Sequence, residues 1–220
     1  MTRPGVLFDV DGTLVDSNYQ HVVAWLRAFR ANGFPDVSAA GVHRCVGMGA
    51  ERLVETLTGE RSEAAVKAHA DEYQRLWPEL RAFPGAVPLL REIRRRGGAT
   101  VLATSATEDE VGALQRTLDA GDAITAVTSS ADVENAKPSP DIFLTALTKG
   151  GVDPERCVVV GDTRWDAEAA VRAGLRCVGV LSGGIGRAEL LDAGMTEVYD
   201  DARALLAAFD DSLLGQVLPD

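Results

Sequence analysis

The chain has 220 residues, 46% of them hydrophobic and 25% charged, with 22 Gly and 9 Pro, a balance that excludes a collagen-like, low-complexity or wholly disordered polymer. Its 33 acidic residues against 22 basic ones give a formal charge of -11, which argues against nucleic acid and anionic membranes as partners. The one basic run, Arg94-Arg95-Arg96, reads as the solvated end of a helix. Cys45, Cys157 and Cys177 lie far apart without a C-x-x-C pattern, which suits a reducing compartment. No apolar stretch reaches membrane-spanning length, and the short apolar start soon meets Asp9 and Asp11, so no signal peptide and a cytoplasmic location are expected.

In chain order, Gly5 to Val10 is a short apolar run that reads as a strand buried on both faces. From Asp16 to about Ala82 no convincing strand follows. Val22, Val23, Trp25, Leu26 and Phe29 fall at helical spacing, and Ser38 and Ser62 are candidate N-caps for helices that include Glu51 to Leu57 and Ala64 to Leu80. After Phe83-Pro84-Gly85 an alternation sets in: helix Ala86 to Arg96, strand Ala99 to Ala103, helix Glu108 to Ala120, strand Ala123 to Val127, helix Pro140 to Lys149. Strand Cys157 to Val160, helix Ala167 to Ala173, strand Cys177 to Leu181 and helix Ala202 to Phe209 complete it. This order predicts a doubly wound α/β core with a parallel sheet, formed by residues 1–15 and 84–220, and an inserted helical domain over 16–83.

Open α/β sheets bind ligands beyond the carboxyl ends of their strands. Asp9 and Asp11 follow the first run, Thr104 and Ser105 the second, Lys137 lies in the loop past the third, and Asp162 and Asp166 follow the fourth. Asp9 and Asp162 could share a hard cation such as Mg2+, which prefers oxygen ligands. Clustered carboxylates otherwise repel one another, so a metal, a shared proton or the lysine must compensate. An ionised Asp can attack phosphorus, and Asp11 is placed to protonate a leaving alcohol and then deprotonate water, although Gly12 leaves its direction open. Thr104, backbone amides and Lys137 would hold phosphoryl oxygens, while Ser105 offers its N–H, its hydroxyl or only a turn.

Taken in order, Asp9-Val10-Asp11-Gly12-Thr13-Leu14-Val15-Asp16-Ser17, then Thr104, then Lys137-Pro138-Ser139-Pro140-Asp141-Ile142-Phe143, then Gly161-Asp162-Thr163-x-x-Asp166 resemble the four motifs of the haloacid dehalogenase-like (HAD) hydrolase superfamily. The resemblance spans nearly the whole chain and implies its Rossmann-like core. It implies that Asp9 is the nucleophile and a metal ligand, that Asp11 is the acid/base and lends its backbone carbonyl to Mg2+, and that Asp162 is a further ligand with Asp166 near the metal. Thr104 and Lys137 would bind phosphate. The helical insert is similar to the α-helical cap of the phosphoglycolate phosphatase and β-phosphoglucomutase-like branch. Dehalogenating members need no metal, and the presence of Asp11 together with Asp162 favours phosphoryl transfer.

In the cap, Gly47-Met48-Gly49 precedes a helix carrying Arg52 and resembles the substrate loop of this cap type, against the alternative of a plain interhelical turn. His21 lies one turn past the hinge and is a candidate cleft residue; Trp25, one turn further on, reads as bundle core, and His43 and His69 as surface or packing residues. Sugar-phosphate mutases of the branch carry an Arg near the place of Ala50 and a cap lysine where this chain has Asp71-Glu72-Tyr73, although His21 fits their pattern. A second phosphate needs such charged grips, which favours a phosphatase over a mutase. The reading is a Mg2+-dependent phosphatase of a small phosphorylated metabolite, phosphoglycolate-like or a sugar phosphate, acting as monomer or homodimer through an aspartyl-phosphate. The alternatives are a β-phosphoglucomutase-type mutase and a catalytically idle binding protein.

Overall fold

The computed structural model describes residues 2–218. In chain order the elements are β1 (Arg3–Phe8), β2 (Val15–Asp16), α1 (Asn18–Ala31), α2 (Ala39–Cys45), α3 (Ala50–Thr58), α4 (Glu63–Gln74), β3 (Arg81–Ala82), α5 (Ala86–Arg95) and β4 (Ala99–Leu102). They continue with α6 (Glu108–Leu118), β5 (Ala126–Val127), α7 (Asp141–Gly150), β6 (Val152–Gly161), α8 (Arg164–Arg172), β7 (Arg176–Val180), α9 (Arg187–Asp192), β8 (Glu197–Tyr199), α10 (Ala202–Ala207) and α11 (Leu213–Val217). Two compact units result: a helical one, Ser17–Leu80, and an α/β one built from the chain on either side of it.

In the α/β unit six strands form one parallel sheet in the order β5-β4-β1-β6-β7-β8. The chain works outward from β1 to β5, returns to pair β6 on the other side of β1, and works outward again. The switch point therefore lies between β1 and β6, where such sheets open a crevice at their strand tips. The registers Phe8↔Leu102 and Phe8↔Val160 bring the tips of β4, β1 and β6 level. Val6, Leu7 and Phe8, with Val158 to Val160, are buried because helices cover both faces, which is why these runs do not alternate with polar residues. The antiparallel pair β2–β3 (Val15↔Ala82, Asp16↔Arg81) lays the departing and returning chain side by side.

The helical unit is built on caps and rings. Ser38 accepts a hydrogen bond from the Gly41 N–H at 3.1 Å, and Ser62 one from the Ala65 N–H at 3.2 Å, fixing the starts of α2 and α4. His21, Trp25 and Phe29 recur every four residues on α1, as do His69 and Tyr73 on α4, so each set lines one helix face. The faces interleave: His21 stacks on Tyr73 with centroids 3.7 Å apart, and Trp25 stacks on His69 at 4.0 Å. His69 also takes a partner that its sequence context did not suggest, the Nδ1 of His21, 3.2 Å from its Nε2.

Several boundaries differ from the expectation. The strand expected over Ala123–Val127 shrinks to β5, because Gly121–Ala123 coils into a 3-10 turn at this sheet edge. The helix expected to reach Leu80 ends at Gln74, and a separate 3-10 turn over Trp77–Glu79 contains Pro78, which has no N–H to give a continuing helix. β2, β3, β8, α9 and α11 are additional to the elements the sequence predicts. Arg96 is not solvated: its side chain is 6% exposed, lies over the Phe209 ring and pairs with Glu92 at 2.8 Å and Asp210 at 2.7 Å. All three cysteines are free and buried, and burial raises each thiol above its ordinary pKa. No described helix is long and apolar enough to cross a membrane.

Candidate active site

Asp9 stands one residue beyond β1, its N–H still held by the Val160 carbonyl of β6 at 2.9 Å. Asp162 follows the last residue of β6, and Asp166 lies in the first turn of α8. One carboxylate oxygen from each of Asp9, Asp162 and Asp166 falls within 4.8 Å of the others, and all three residues are buried. Lys137 enters from the loop before α7: its buried ammonium pairs with Asp9 and lies 2.8 Å from Asp166 Oδ1.

The electrostatics follow from this crowding. Burial raises Asp9 to about 7; Lys137 pulls against that rise, and the charges of Asp166 and Asp11 add to it. Burial also works against the Lys137 ammonium, but Asp166 and Asp9 outweigh it and hold its pKa above the ordinary lysine value. Three buried carboxylates with one lysine have the donor chemistry of a hard divalent cation: several oxygens, close together, incompletely balanced. The residues present fit such an ion.

Each acid is held in place by its surroundings. Thr13 Oγ1 donates to Asp162 Oδ1 at 2.8 Å, and Gly183 passes so near that a Cβ there would collide with the Asp162 carboxylate. Asp166 divides its oxygens: Oδ2 accepts from the Thr163 N–H at 3.0 Å and hydroxyl at 2.6 Å as a capping box, while Oδ1 faces Lys137. A Cβ at Gly161 would stand 2.5 Å from Asp166, so only glycine admits this helix start. Arg172 Nη1 donates to the Pro138 carbonyl at 2.5 Å, beside the cis Lys137–Pro138 bond, and anchors the loop that carries Lys137.

Of the residues singled out in the sequence, Asp9, Lys137, Asp162 and Asp166 come together. Asp11 is near enough to raise the Asp9 pKa, but its carboxylate is not in that three-oxygen group. Thr104 is buried beyond the tip of β4, where its hydroxyl accepts from the Ala106 N–H at 3.1 Å; Ser105 is exposed. His21, Gly47, Met48, Gly49 and Arg52 belong to the helical unit. There Gly47 turns at φ 95, the Met48 N–H closes the turn on the Cys45 carbonyl at 3.2 Å, and Arg52 is exposed on α3.

Thr13 and Thr163 stand in the sequence motifs without a role of their own, and Gly183 and Arg172 stand outside them. Thr163 carried a readable signal, the T-x-x-D spacing of a helix cap. Thr13 is 149 residues from Asp162, Gly183 touches it from another loop, and no local spacing reports either contact.

The chain resembles known proteins over nearly its whole length. The chain is 32% identical to a phosphoglycolate phosphatase of Pseudomonas putida, over 98% of this chain and 83% of that one. It is 30% identical to phosphoglycolate phosphatase 1 of Pseudomonas aeruginosa, over 98% of this chain and 82% of that one. A solved structure of a hydrolase from Pseudomonas syringae superposes with a TM-score of 0.89 at 34% identity, covering 95% of this chain and 99% of that one. Residues 4–174 match the haloacid dehalogenase-like hydrolases as a family, a span holding all four acids and Lys137, and the chain belongs to that family.

Proposed function

We propose that the chain is a Mg2+-dependent phosphatase of a small phosphorylated metabolite, working through an aspartyl-phosphate on Asp9. The observation that carries this reading is the buried group of Asp9, Asp162 and Asp166 beside Lys137, at the switch point of the sheet. Asp9, Asp162 and Asp166, with the backbone carbonyl of Asp11, would hold the ion. When bound, Mg2+ supplies positive charge that offsets the carboxylates and the phosphoryl oxygens.

The protein groups then divide the work. An Asp9 oxygen forms the new bond to phosphorus as the bond to the leaving oxygen breaks, and Asp11 gives that oxygen its proton. Asp11, now ionised, takes a proton from water, whose oxygen bonds to phosphorus and frees Asp9 and inorganic phosphate. Lys137 and Thr104 hold the phosphoryl oxygens, with the Ser105 N–H beside them. His21, the Gly47–Gly49 turn and Arg52 are the cap groups assigned to substrate choice. The two relatives named as phosphoglycolate phosphatases make phosphoglycolate the first compound to try. Three buried free thiols fit a reducing, cytoplasmic setting.

The test is phosphate release from phosphoglycolate and a panel of sugar phosphates, with Mg2+, with EDTA, and with Mg2+ restored. Release that EDTA stops and Mg2+ restores is expected. No release above buffer from any compound would leave an idle binding protein, and transfer from a sugar bisphosphate to a monophosphate without net phosphate would mark a mutase.

A further inference from the structure

We propose that Thr128, a residue with no role in the site so far, is a positioning residue that aims the Ser105 N–H at the phosphoryl group. The inference rests on the phosphatase reading above. Thr128 is fully buried just past β5, and its N–H donates to the Leu102 carbonyl at 2.9 Å. Its hydroxyl donates onward to the Thr104 carbonyl at 2.9 Å, two residues beyond the ladder proper, with Leu102 O at 3.4 Å. A second stake lies alongside, where the Ser130 N–H holds the Ala106 carbonyl at 2.8 Å.

The direction of the Ser105 amide follows from the pleat. Along a strand, successive peptide groups point alternately to its two neighbours. The Ala103 N–H points to β1, donating to the Phe8 carbonyl at 2.6 Å, while the carbonyls of Leu102 and Thr104 point to Thr128 on the β5 side. The Thr104–Ser105 peptide is trans, so its N–H runs opposite to its carbonyl. With the carbonyl tied toward β5, the Ser105 N–H faces the β1 side, and β1 is the strand that ends at Asp9. Among the described residues this N–H has no acceptor in the protein. A donor fixed in advance, without a partner of its own, is what stabilises charge on a transferring group. Without the Thr128 hydroxyl, the Thr104 carbonyl loses its tie and the peptide is free to rotate.

Thr128→Val keeps the shape and removes the hydroxyl; Thr128→Ser keeps the hydroxyl. Inorganic phosphate is titrated against the Ser105 amide resonance, with Mg2+ present throughout, and kcat and KM are measured on the best substrate. T128V is expected to weaken phosphate and lower kcat/KM by about tenfold, with T128S within about twofold of wild type. A purely structural role would lower the melting temperature of T128V and leave its phosphate titration where it was. Phosphate binding by T128V as tight as by wild type would overturn this inference alone. A wild-type Ser105 amide indifferent to phosphate, in a protein that still releases phosphate from its best substrate, would also overturn this inference alone, whereas absence of release from every compound would overturn both it and the phosphatase reading.

Discussion

The α/β unit and the helical unit Ser17–Leu80 bury their polar side chains in different ways. At the tips of β1 and β6, Asp9, Lys137, Asp162 and Asp166 arrive from segments far apart in the chain, and charge is set against charge. In the helical unit, His21, His69 and Tyr73 arrive from two helices, and their rings stack with Trp25 and Phe29. Burying ions is costly unless every partner is in place, so the first arrangement fails in large steps. Ring stacking is packing, lost in proportion to the area removed.

Four variants sharpen this contrast. Asp9→Asn keeps the volume but removes the proposed nucleophile; turnover of an aryl phosphate should fall by about 10^4-fold or more, with an unchanged circular dichroism spectrum. Activity within about tenfold of wild type would take Asp9 out of the chemistry. Lys137→Ala removes one proposed donor to the phosphoryl group and should lower kcat by about 10^2- to 10^3-fold. It also leaves two buried carboxylates without their counter-ion, so urea unfolding should show a loss of stability as well.

Trp25→Ala, in the helical unit, should cost about 3 kcal/mol in urea unfolding, since the residue is 3% exposed and its ring stacks with His69 and Phe29. If it costs as little as a surface change, the stack is not what holds α1 to α4. Glu92→Gln has the smallest expected effect, about 1 kcal/mol at neutral pH. Hydrogen bonds from Arg95 and then Arg96 hold Glu92 down to about 2, from an ordinary 4.5. Its contribution is in place above pH 4.5 and drains away as the pH falls toward 2, so the gap between wild type and E92Q should narrow on acidification. A gap that widens would mean the Arg95–Glu92–Arg96 cluster works with the opposite sign.

The sheet was largely legible because its central strands are unbroken apolar runs, and the acids were legible because they sit where those runs stop. Weaker elements were lost. β8 is three residues, Glu197–Tyr199, too short to show a pattern, and β2 pairs with β3 through two residues whose partners lie on opposite sides of a long insert. Arg96 departs from the expectation because a basic run looks solvated until Phe209 and Asp210, over a hundred positions away, are folded against it. The supports of the site were hidden for the same reason. Thr13, Gly183 and Arg172 act on acids or loops that only the fold brings near. Asp166 serves both the helix start and the site, one oxygen on Thr163 and the other facing Lys137.

Because peptide direction alternates along β4 and its extension, the direction of the Ser105 amide depends on the count of residues from Leu102 onward, whereas the hydroxyl offered at Thr104 depends on identity. A substitution at Ala103 preserves the parity, whereas one inserted residue would turn every following amide to the opposite neighbour. Insertions and deletions should therefore be absent from this strand tip even where relatives of the chain differ in side chain at the position of Ala103.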